Sequence, residues 1–93
     1  MPLPAIYSPE LKAKLAKLIR NDRRRYEILV KKIGQICSSD EFTIEHYKNL
    51  RHGQSDRKRV HIDRSFVLTF TFNRQTKCLE FLEFDHHDRI YRQ

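Results

Sequence analysis

Apolar and polar residues alternate through the last third of the chain. Successive side chains of an extended strand point to opposite faces, so this alternation predicts strands with one apolar face. Over 66–72 the residues on one side are all large and apolar: Phe66, Leu68, Phe70 and Phe72. A shorter stretch at 60–63 follows the same pattern, and 79–84 is rich in large apolar residues and predicts a third strand. Asn73–Thr76 supplies a turn before this last strand. The sequence therefore predicts a three-stranded antiparallel meander.

Helical spacing replaces the alternation in the first 38 residues. Ser8, Pro9 and Glu10 form a helix start, with an N-cap serine, a proline at the first helical position and an acid in the first turn. Apolar residues then follow to about Arg20: Leu11, Leu15, Leu18 and Ile19. A second helix starts at Asn21-Asp22 and carries one apolar stripe: Tyr26, Leu29, Val30, Ile33, Ile36 and Cys37. The short break between them predicts an antiparallel helical hairpin.

Two helices followed by three strands predict an α+β fold, with the hairpin packed on the apolar face of the sheet. Residues 3–7 can add a short N-terminal edge strand, because proline is tolerated at a sheet edge. The segment 42–50 is either a short helix or a loop with apolar anchors: Phe42, Ile44, Tyr47 and Leu50. With 93 residues, the chain is expected to form one domain over 1–93.

Several function classes lack their sequence signatures. No apolar run approaches 18 residues and no apolar leader is present, so we expect a soluble, cytoplasmic protein without a membrane partner. A Gly-rich phosphate loop, a nucleophile elbow and a well-spaced carboxylate pair are absent, which argues against nucleotide hydrolysis, acyl transfer and glycoside hydrolysis. Cys37 and Cys78 form no C-x-x-C pair, and we expect both to be reduced core thiols.

The chain is basic, with a formal net charge of +7. The excess is concentrated in residues 1–38, which hold nine Lys and Arg residues against three acids. Such a surplus attracts polyanions, and nucleic acid is the favoured partner. Charge alone does not distinguish RNA from DNA, from an acidic protein or from an anionic lipid surface.

Side chains that transfer protons near neutral pH lie in or beside the predicted sheet. His61 and Asp63 are two residues apart on one strand, so we expect them on one face, where the carboxylate can orient the imidazole. His86 and His87 follow the last strand and can lie beside His61. A solvent-exposed strand with ordinary polar residues is the alternative. The histidine spacing matches no familiar zinc motif, so no metal or other cofactor is expected.

Cations and aromatic residues surround the same predicted face. The candidate RNA-binding cations are Arg51, Arg57, Lys58, Arg59, Arg64 and Arg89. Phe66 and Tyr91 can stack on a base, and cations interleaved with aromatic rings are typical of single-stranded RNA sites. A solvated charged surface is the alternative interpretation.

Three stretches of sequence resemble a known family. They are N-L-R-H-G at 49–53, R-V-H-I-D-R-S-F-V-L-T-F at 59–70, and the terminal His-x-x-x-x-Tyr from His86 to Tyr91. Together with the order of elements, they are similar to the RelE/ParE superfamily of type II toxin–antitoxin toxins, nearest its histidine-using YafQ-like branch. The resemblance implies a RelE-like fold and a metal-independent, ribosome-dependent mRNA endoribonuclease that inhibits translation. It also implies a cognate antitoxin protein as partner, besides mRNA and the ribosome.

The resemblance also suggests catalytic residues. His52 matches the histidine in the connection before the sheet, and His61 the one that opens the H-x-[DE] strand. Tyr91 falls at the terminal aromatic position. Two alignments of the last histidine remain open, because the YafQ-like spacing selects His87 and the RelE-like spacing selects His86.

The chain departs from the family pattern at three positions, and at one of them Asp63 stands where the RelE-like G-x-x-R hairpin has glycine. Phe66 stands where the YafQ-like branch has an indole and RelE-like members often have arginine. Ser65 stands where the branch has an aspartate, so either Asp63 or no residue takes that role. These departures leave a catalytically inactive RNA- or ribosome-binding homologue as one alternative. A gyrase-directed toxin is the other, since the resemblance includes a neighbouring branch of the same fold that acts on gyrase.

Overall fold

The computed structural model describes residues 2–49 and 57–91. Along these residues the elements are β1 (Ala5–Tyr7), α1 (Pro9–Asn21), α2 (Arg23–Cys37), α3 (Glu41–Glu45), β2 (Lys58–Ile62), β3 (Phe66–Asn73), β4 (Cys78–His86) and α4 (His87–Tyr91). The strands form one sheet in the order β1-β4-β3-β2, with β1 parallel to β4 and the other neighbours antiparallel. The predicted α+β class, the three-stranded meander and the short edge strand are confirmed.

The helical hairpin begins and turns at the predicted caps. The Leu11 amide donates to Ser8 Oγ over 3.0 Å, and the Arg25 amide donates to Asp22 Oδ1 over 3.2 Å. Each bond satisfies one of the amides that a helix start leaves without an intrahelical partner. Ser8 also donates from Oγ to the carbonyl of Leu82, in the part of β4 where the register with β3 shifts. One buried serine thus joins the start of α1 to the sheet.

The main core lies between the hairpin and one face of the sheet. Its buried residues are Leu11, Leu18, Leu29, Ile33, Ile36, Ile44, Ile62, Leu68, Phe70, Leu79, Phe81 and Phe84. Apolar residues of α1 and α2 therefore meet alternate residues of the strands, as the two sequence periodicities predict. We call the opposite face, which carries Val67 and Thr69, the outer face of the sheet.

The ambiguous segment after α2 is a short helix, α3. Its N-cap is Asp40, whose Oδ1 accepts the Thr43 amide over 2.8 Å. The hydrogen bonds from this amide hold the pKa of Asp40 below its ordinary value. Ile44 is buried as expected, but the prediction that Phe42 anchors the segment is wrong, because its side chain is 73% exposed. Leu50 lies outside the described residues.

The outer face is covered at one end by α4. Val67 and Ile90 are fully buried against each other, and Tyr91 packs on the pair. This small second cluster fixes α4 on the face opposite the helical hairpin. Cys37 and Cys78 are free and half-buried, and burial raises the pKa of the Cys37 thiol. Within residues 2–49 and 57–91, no helix is long and apolar enough to cross a membrane.

Candidate active site

Three aromatic side chains meet on the outer face, near the end of β2 and beside α4, which packs on β3 and β4. The rings of His61 and His87 are nearly parallel, with centroids 6.1 Å apart and planes at 25°. The ring of Tyr91 lies 4.7 Å from that of His87, since residues four apart share one face of a helix. We call His61, His87 and Tyr91 the histidine cluster. Val67, paired with His61 in register, supports it through Ile90.

Each imidazole of the cluster has a charged neighbour. Arg59 Nη1 lies 3.4 Å from His61 Nδ1, and since a guanidinium only donates, Nδ1 is the acceptor there. On the other ring, His87 Nδ1 lies 3.3 Å from a carboxylate oxygen of Asp88. Sequence reasoning did not select Asp88, and its only signal was its position directly after the paired histidines.

His86 lies on the other side of the sheet from the cluster. It pairs in register with Phe66, and its ring meets the edge of the Phe66 ring at 5.6 Å. Its Nδ1 accepts the backbone amide of Asp88 over 3.2 Å. Of the two histidines that the sequence left open, the structure therefore brings His87, not His86, to His61.

Asp63 does not share the face of His61, so the predicted pairing of these two residues is wrong. β2 ends at Ile62, and Asp63 occupies the following turn with φ at 50°. Its carboxylate forms ion pairs with Arg25 at 3.3 Å and with Arg24 at 3.5 Å. Strand alternation fails here because it holds only while the backbone remains extended.

Phe66 also lies away from the cluster, on the helix side of the sheet. Its ring stacks on Phe84 at 5.3 Å, and the Arg25 guanidinium lies 4.1 Å from its centroid. The side chain is half-buried against the main core. The structure brings Phe66 to His86 but not to the histidine cluster.

Lys58 is buried, although the sequence analysis grouped it with the RNA-binding cations. Its side of β2 faces the core opposite Phe70, and the residue is only 8% exposed. Its Nζ donates to the carbonyls of Tyr47 at 3.3 Å and Glu45 at 3.5 Å, and to Asn49 Oδ1 at 3.4 Å. The placement of Lys58 on an RNA-facing surface is therefore wrong, because its charge satisfies the carbonyls after α3.

The remaining arginines differ in their distance from the cluster. Arg59 is adjacent to it, whereas Arg57 pairs with Glu83 at 3.4 Å. Arg64 is exposed in the turn after β2, with φ at 67°. The exposed Arg89 of α4 lies 4.0 Å from Asp85. The predicted catalytic His52 and the predicted RNA-binding Arg51 lie outside the described residues.

The cluster has the groups that acid–base chemistry on a phosphodiester requires. Two imidazoles about 6 Å apart can each reach a different oxygen of one phosphate, and a guanidinium beside them can hold its negative charge. Across the described residues, no group of three or more His, Cys, Asp or Glu side chains is arranged to hold a metal ion.

Comparison with known sequences identifies clear relatives. No protein-family model matches the chain. A protein of Methanocaldococcus jannaschii named "Putative toxin RelE4" is 45% identical over 85 residues, which cover 91% of this chain and 86% of that protein. An uncharacterized protein of Methanosarcina mazei is 35% identical over 82 residues, covering 88% of this chain and 91% of that protein.

Solved structures share the fold at lower sequence identity. A mutant of E. coli toxin RelE in the free state superposes with a TM-score of 0.73 at 15% identity, covering 99% of this chain and 93% of that one. The toxin–antitoxin complex RelBE2 of Mycobacterium tuberculosis contains a chain with a TM-score of 0.68 at 16% identity, with coverages of 92% and 99%. A conserved hypothetical protein of Helicobacter pylori gives 0.63 at 20% identity, with coverages of 95% and 98%.

Proposed function

This chain belongs to the RelE/ParE superfamily of toxins of toxin–antitoxin systems, and from that premise we propose that it is a metal-independent, ribosome-dependent endoribonuclease that cuts mRNA. Its action would inhibit translation in the cytoplasm. The observation that carries the proposal is the pair of nearly parallel imidazoles of His61 and His87, 6.1 Å apart and flanked by Arg59.

The proposed reaction is attack of a ribose 2′-OH on the adjacent phosphorus. One histidine removes the 2′ proton, and the other donates a proton to the departing 5′-oxygen. The P–O5′ bond breaks as the P–O2′ bond forms, which leaves a 2′,3′-cyclic phosphate on one product and a 5′-OH on the other. Positioned acids and bases of this kind each accelerate such reactions by about 10²–10⁴-fold.

The hydrogen bonds of the two rings favour one division of roles. Arg59 donates to His61 Nδ1, so that nitrogen carries a lone pair. When a phosphate draws Arg59 toward itself, this lone pair becomes free, and His61 can act as the base. His87 has Asp88 beside its Nδ1, so a protonated His87 can donate one hydrogen to Asp88 and the other to the leaving oxygen. His87 is thus the proposed acid.

The other groups would bind the substrate. Arg59 would hold the phosphate charge that develops in the transition state, with the exposed Arg64 and Arg89 attracting the strand. Tyr91, in ring contact with His87, would stack on a base next to the cut. A cognate antitoxin protein is the proposed inhibitor, and mRNA on the ribosome the proposed substrate.

Controlled expression in a bacterial host tests the proposal, with growth and primer extension on a translated reporter mRNA measured together. We expect growth arrest and cuts inside translated codons. The double substitution of His61 and His87 by Ala should abolish both effects. His46→Ala is the control, because His46 is an exposed histidine whose Nδ1 bonds the carbonyl of Phe42 and whose ring contacts the Phe42 ring, both within its own segment.

Other outcomes assign the chain to the alternatives. Ribosome binding without arrest or cuts would indicate an inactive RNA-binding homologue. Arrest without cuts, accompanied by loss of gyrase supercoiling, would indicate a gyrase-directed toxin. If the double histidine variant still arrests growth and cuts mRNA, the proposed site is contradicted, although the proposed nuclease function is supported.

A further inference from the structure

The two adjacent histidines at the start of α4 have different surroundings, and this difference separates their roles. We propose that His86 is a positioning residue: its ring caps the N-terminus of α4 and so holds His87 and Tyr91 over His61. The catalytic consequence of this role rests on the function proposed above, whereas the capping itself does not.

A helix of five residues depends on its end contacts, because its first amides lack intrahelical partners. The first amide of α4, that of His87, donates to the carbonyl of Ser65 over 2.7 Å. The next one, that of Asp88, donates to His86 Nδ1 over 3.2 Å. The His86 ring thus supplies the acceptor that a serine, aspartate or asparagine side chain usually provides at an N-cap.

The ring that provides this cap is itself anchored to the core. The edge of the Phe66 ring lies against it at 5.6 Å, and Phe66 is in turn stacked on Phe84 at 5.3 Å. Register pairing of His86 with Phe66 places the ring on the helix side of the sheet. His86 therefore links the main core to the start of a helix whose other residues lie on the outer face.

The same contacts argue against a proton-transfer role for His86. Its Nδ1 faces the backbone amide of Asp88 at 3.2 Å and the Asp88 carboxylate at 3.8 Å. Its ring lies across the sheet from the His61–His87 pair, so it cannot share a phosphate with them. What His86 controls is the orientation of α4. That helix carries His87 and Tyr91 at the cluster and the buried Ile90 beneath it.

Two substitutions separate the cap from the imidazole. In His86→Asn, the side-chain oxygen occupies the position of Nδ1 and retains the acceptor. In His86→Gln, the polar group moves to the position of Nε2, and the acceptor near the Asp88 amide is lost. Hydrogen exchange of the Ile90 and Tyr91 amides measures the opening of α4 directly. We expect exchange about fivefold faster in the Gln variant and close to wild type in the Asn variant.

Cleavage of ribosome-bound mRNA provides the second readout. The Asn variant should cut within about threefold of wild type, and the Gln variant should be slower by no more than about tenfold. His87→Ala should lose at least about 100-fold, as expected for a proton-transfer group. If the Gln variant fails to fold while the Asn variant folds, the cap requirement is likewise supported.

Equal exchange rates in the Asn and Gln variants would overturn the proposal. So would a loss of cleavage in the Asn variant as large as that of His87→Ala, since asparagine retains the cap but transfers no proton. If wild type cuts no RNA, the proposed nuclease function fails, and the exchange rates still decide whether His86 is the cap.

Discussion

Among single residues, Phe66 and Tyr91 are two aromatic side chains whose substitution should affect different properties, stability for Phe66 and cleavage for Tyr91. Phe66 stacks on Phe84 and lies under the Arg25 guanidinium, on the core side. We expect Phe66→Leu to lower the free energy of unfolding by about 1–2 kcal/mol, through lost aromatic and cation–π contacts. The folded variant should still cut RNA within a few-fold of wild type. Urea unfolding and cleavage assays on the same preparation test this expectation.

Tyr91 lies at the cluster instead, in contact with His87. Loss of one base–aromatic stack costs about 1–3 kcal/mol, so Tyr91→Ala should slow cleavage by roughly 5–150-fold. Tyr91→Phe is the matched control, because it keeps the ring, and it should restore most of the rate. If Phe66→Leu abolished cleavage at unchanged stability while Tyr91→Ala had no effect, the stacking residue would be Phe66.

The residues that sequence reasoning placed correctly are those governed by local rules. His61 and Arg59 follow from strand alternation, and the caps Ser8 and Asp22 follow from helix starts. Asp63 was misplaced because its partners are the arginines of α2, 38 and 39 residues earlier in the chain. No spacing in the sequence reveals such a contact. Lys58 was misplaced because β2 begins two residues before the predicted strand. Phe66 was misplaced because its aromatic type and the family resemblance were given more weight than its position in the apolar row of β3.

At the scale of elements, the turn between β3 and β4 carries measurable strain. Asn73 Oδ1 accepts the amides of Gln75 and Thr76, which fixes the turn, and Lys77 closes it with φ at 60°. This left-handed conformation costs a residue with a Cβ about 1–2 kcal/mol of conformational free energy, and glycine has no such cost. After the greater flexibility of unfolded glycine is counted, Lys77→Gly should raise the free energy of unfolding by about 0.5–1 kcal/mol.

Lys77→Ala is the control for that measurement, since Lys77 also pairs with Glu41 at 2.9 Å across an exposed surface. Alanine removes the ion pair but keeps the strain, so it should leave stability unchanged or slightly lower. Chemical denaturation of wild type, Lys77→Gly and Lys77→Ala measures their free energies of unfolding. A glycine variant no more stable than the alanine variant would show that the turn is unstrained.

The short helix α3 should make folding stability depend on pH. The amide of Thr43 lowers the pKa of Asp40, and the hydrogen bond from Arg74 lowers that of Glu45. Unfolded carboxyl groups titrate near about pH 4. Because the pKa values of these carboxyl groups are lower in the folded state, the unfolded state binds more protons at any pH between a group's folded and unfolded pKa. The stabilisation is therefore complete above about pH 5 and is lost as the pH falls through the folded pKa values.

The double variant Asp40→Asn with Glu45→Gln tests this dependence. Its urea midpoint should be lower than that of wild type at pH 6, and it should fall less steeply between about pH 5 and pH 2.5. Parallel pH profiles for the two proteins would show that these carboxyl groups do not cause the dependence.

Element type was predictable where an element is long or strictly patterned, as in α1, α2 and β3. The two five-residue helices were not, because about one turn is too short to display a 3.6-residue period. β4 extends to His86, beyond the expected end at 84, since its pairing with β3 continues after the apolar residues stop. Tertiary contacts, not local pattern, define these ends.

In the molecule as a whole, the two faces of the sheet have different roles, since one forms the main core and the other carries the histidine cluster. The helical hairpin buries one face and forms the main core. At one end of the outer face, α4 covers the sheet through Val67 and Ile90. The histidine cluster therefore depends on the docking of a single helical turn. This arrangement explains why residues that the sequence places near one another, such as His86 and His87, contribute to different parts of the molecule.

The central claim is that His61 removes the 2′ proton and His87 protonates the leaving 5′-oxygen. The most direct test measures single-turnover cleavage of ribosome-bound mRNA by the His61→Ala and His87→Ala variants. Two substrates are compared, one with an ordinary linkage at the cut site and one in which sulfur replaces the bridging 5′-oxygen. A thiolate leaves without a proton, so we predict that both variants are at least about 100-fold slow on the ordinary linkage and that sulfur restores only His87→Ala. Wild-type rates in either variant on the ordinary linkage, or restoration of His61→Ala instead, would contradict the assignment.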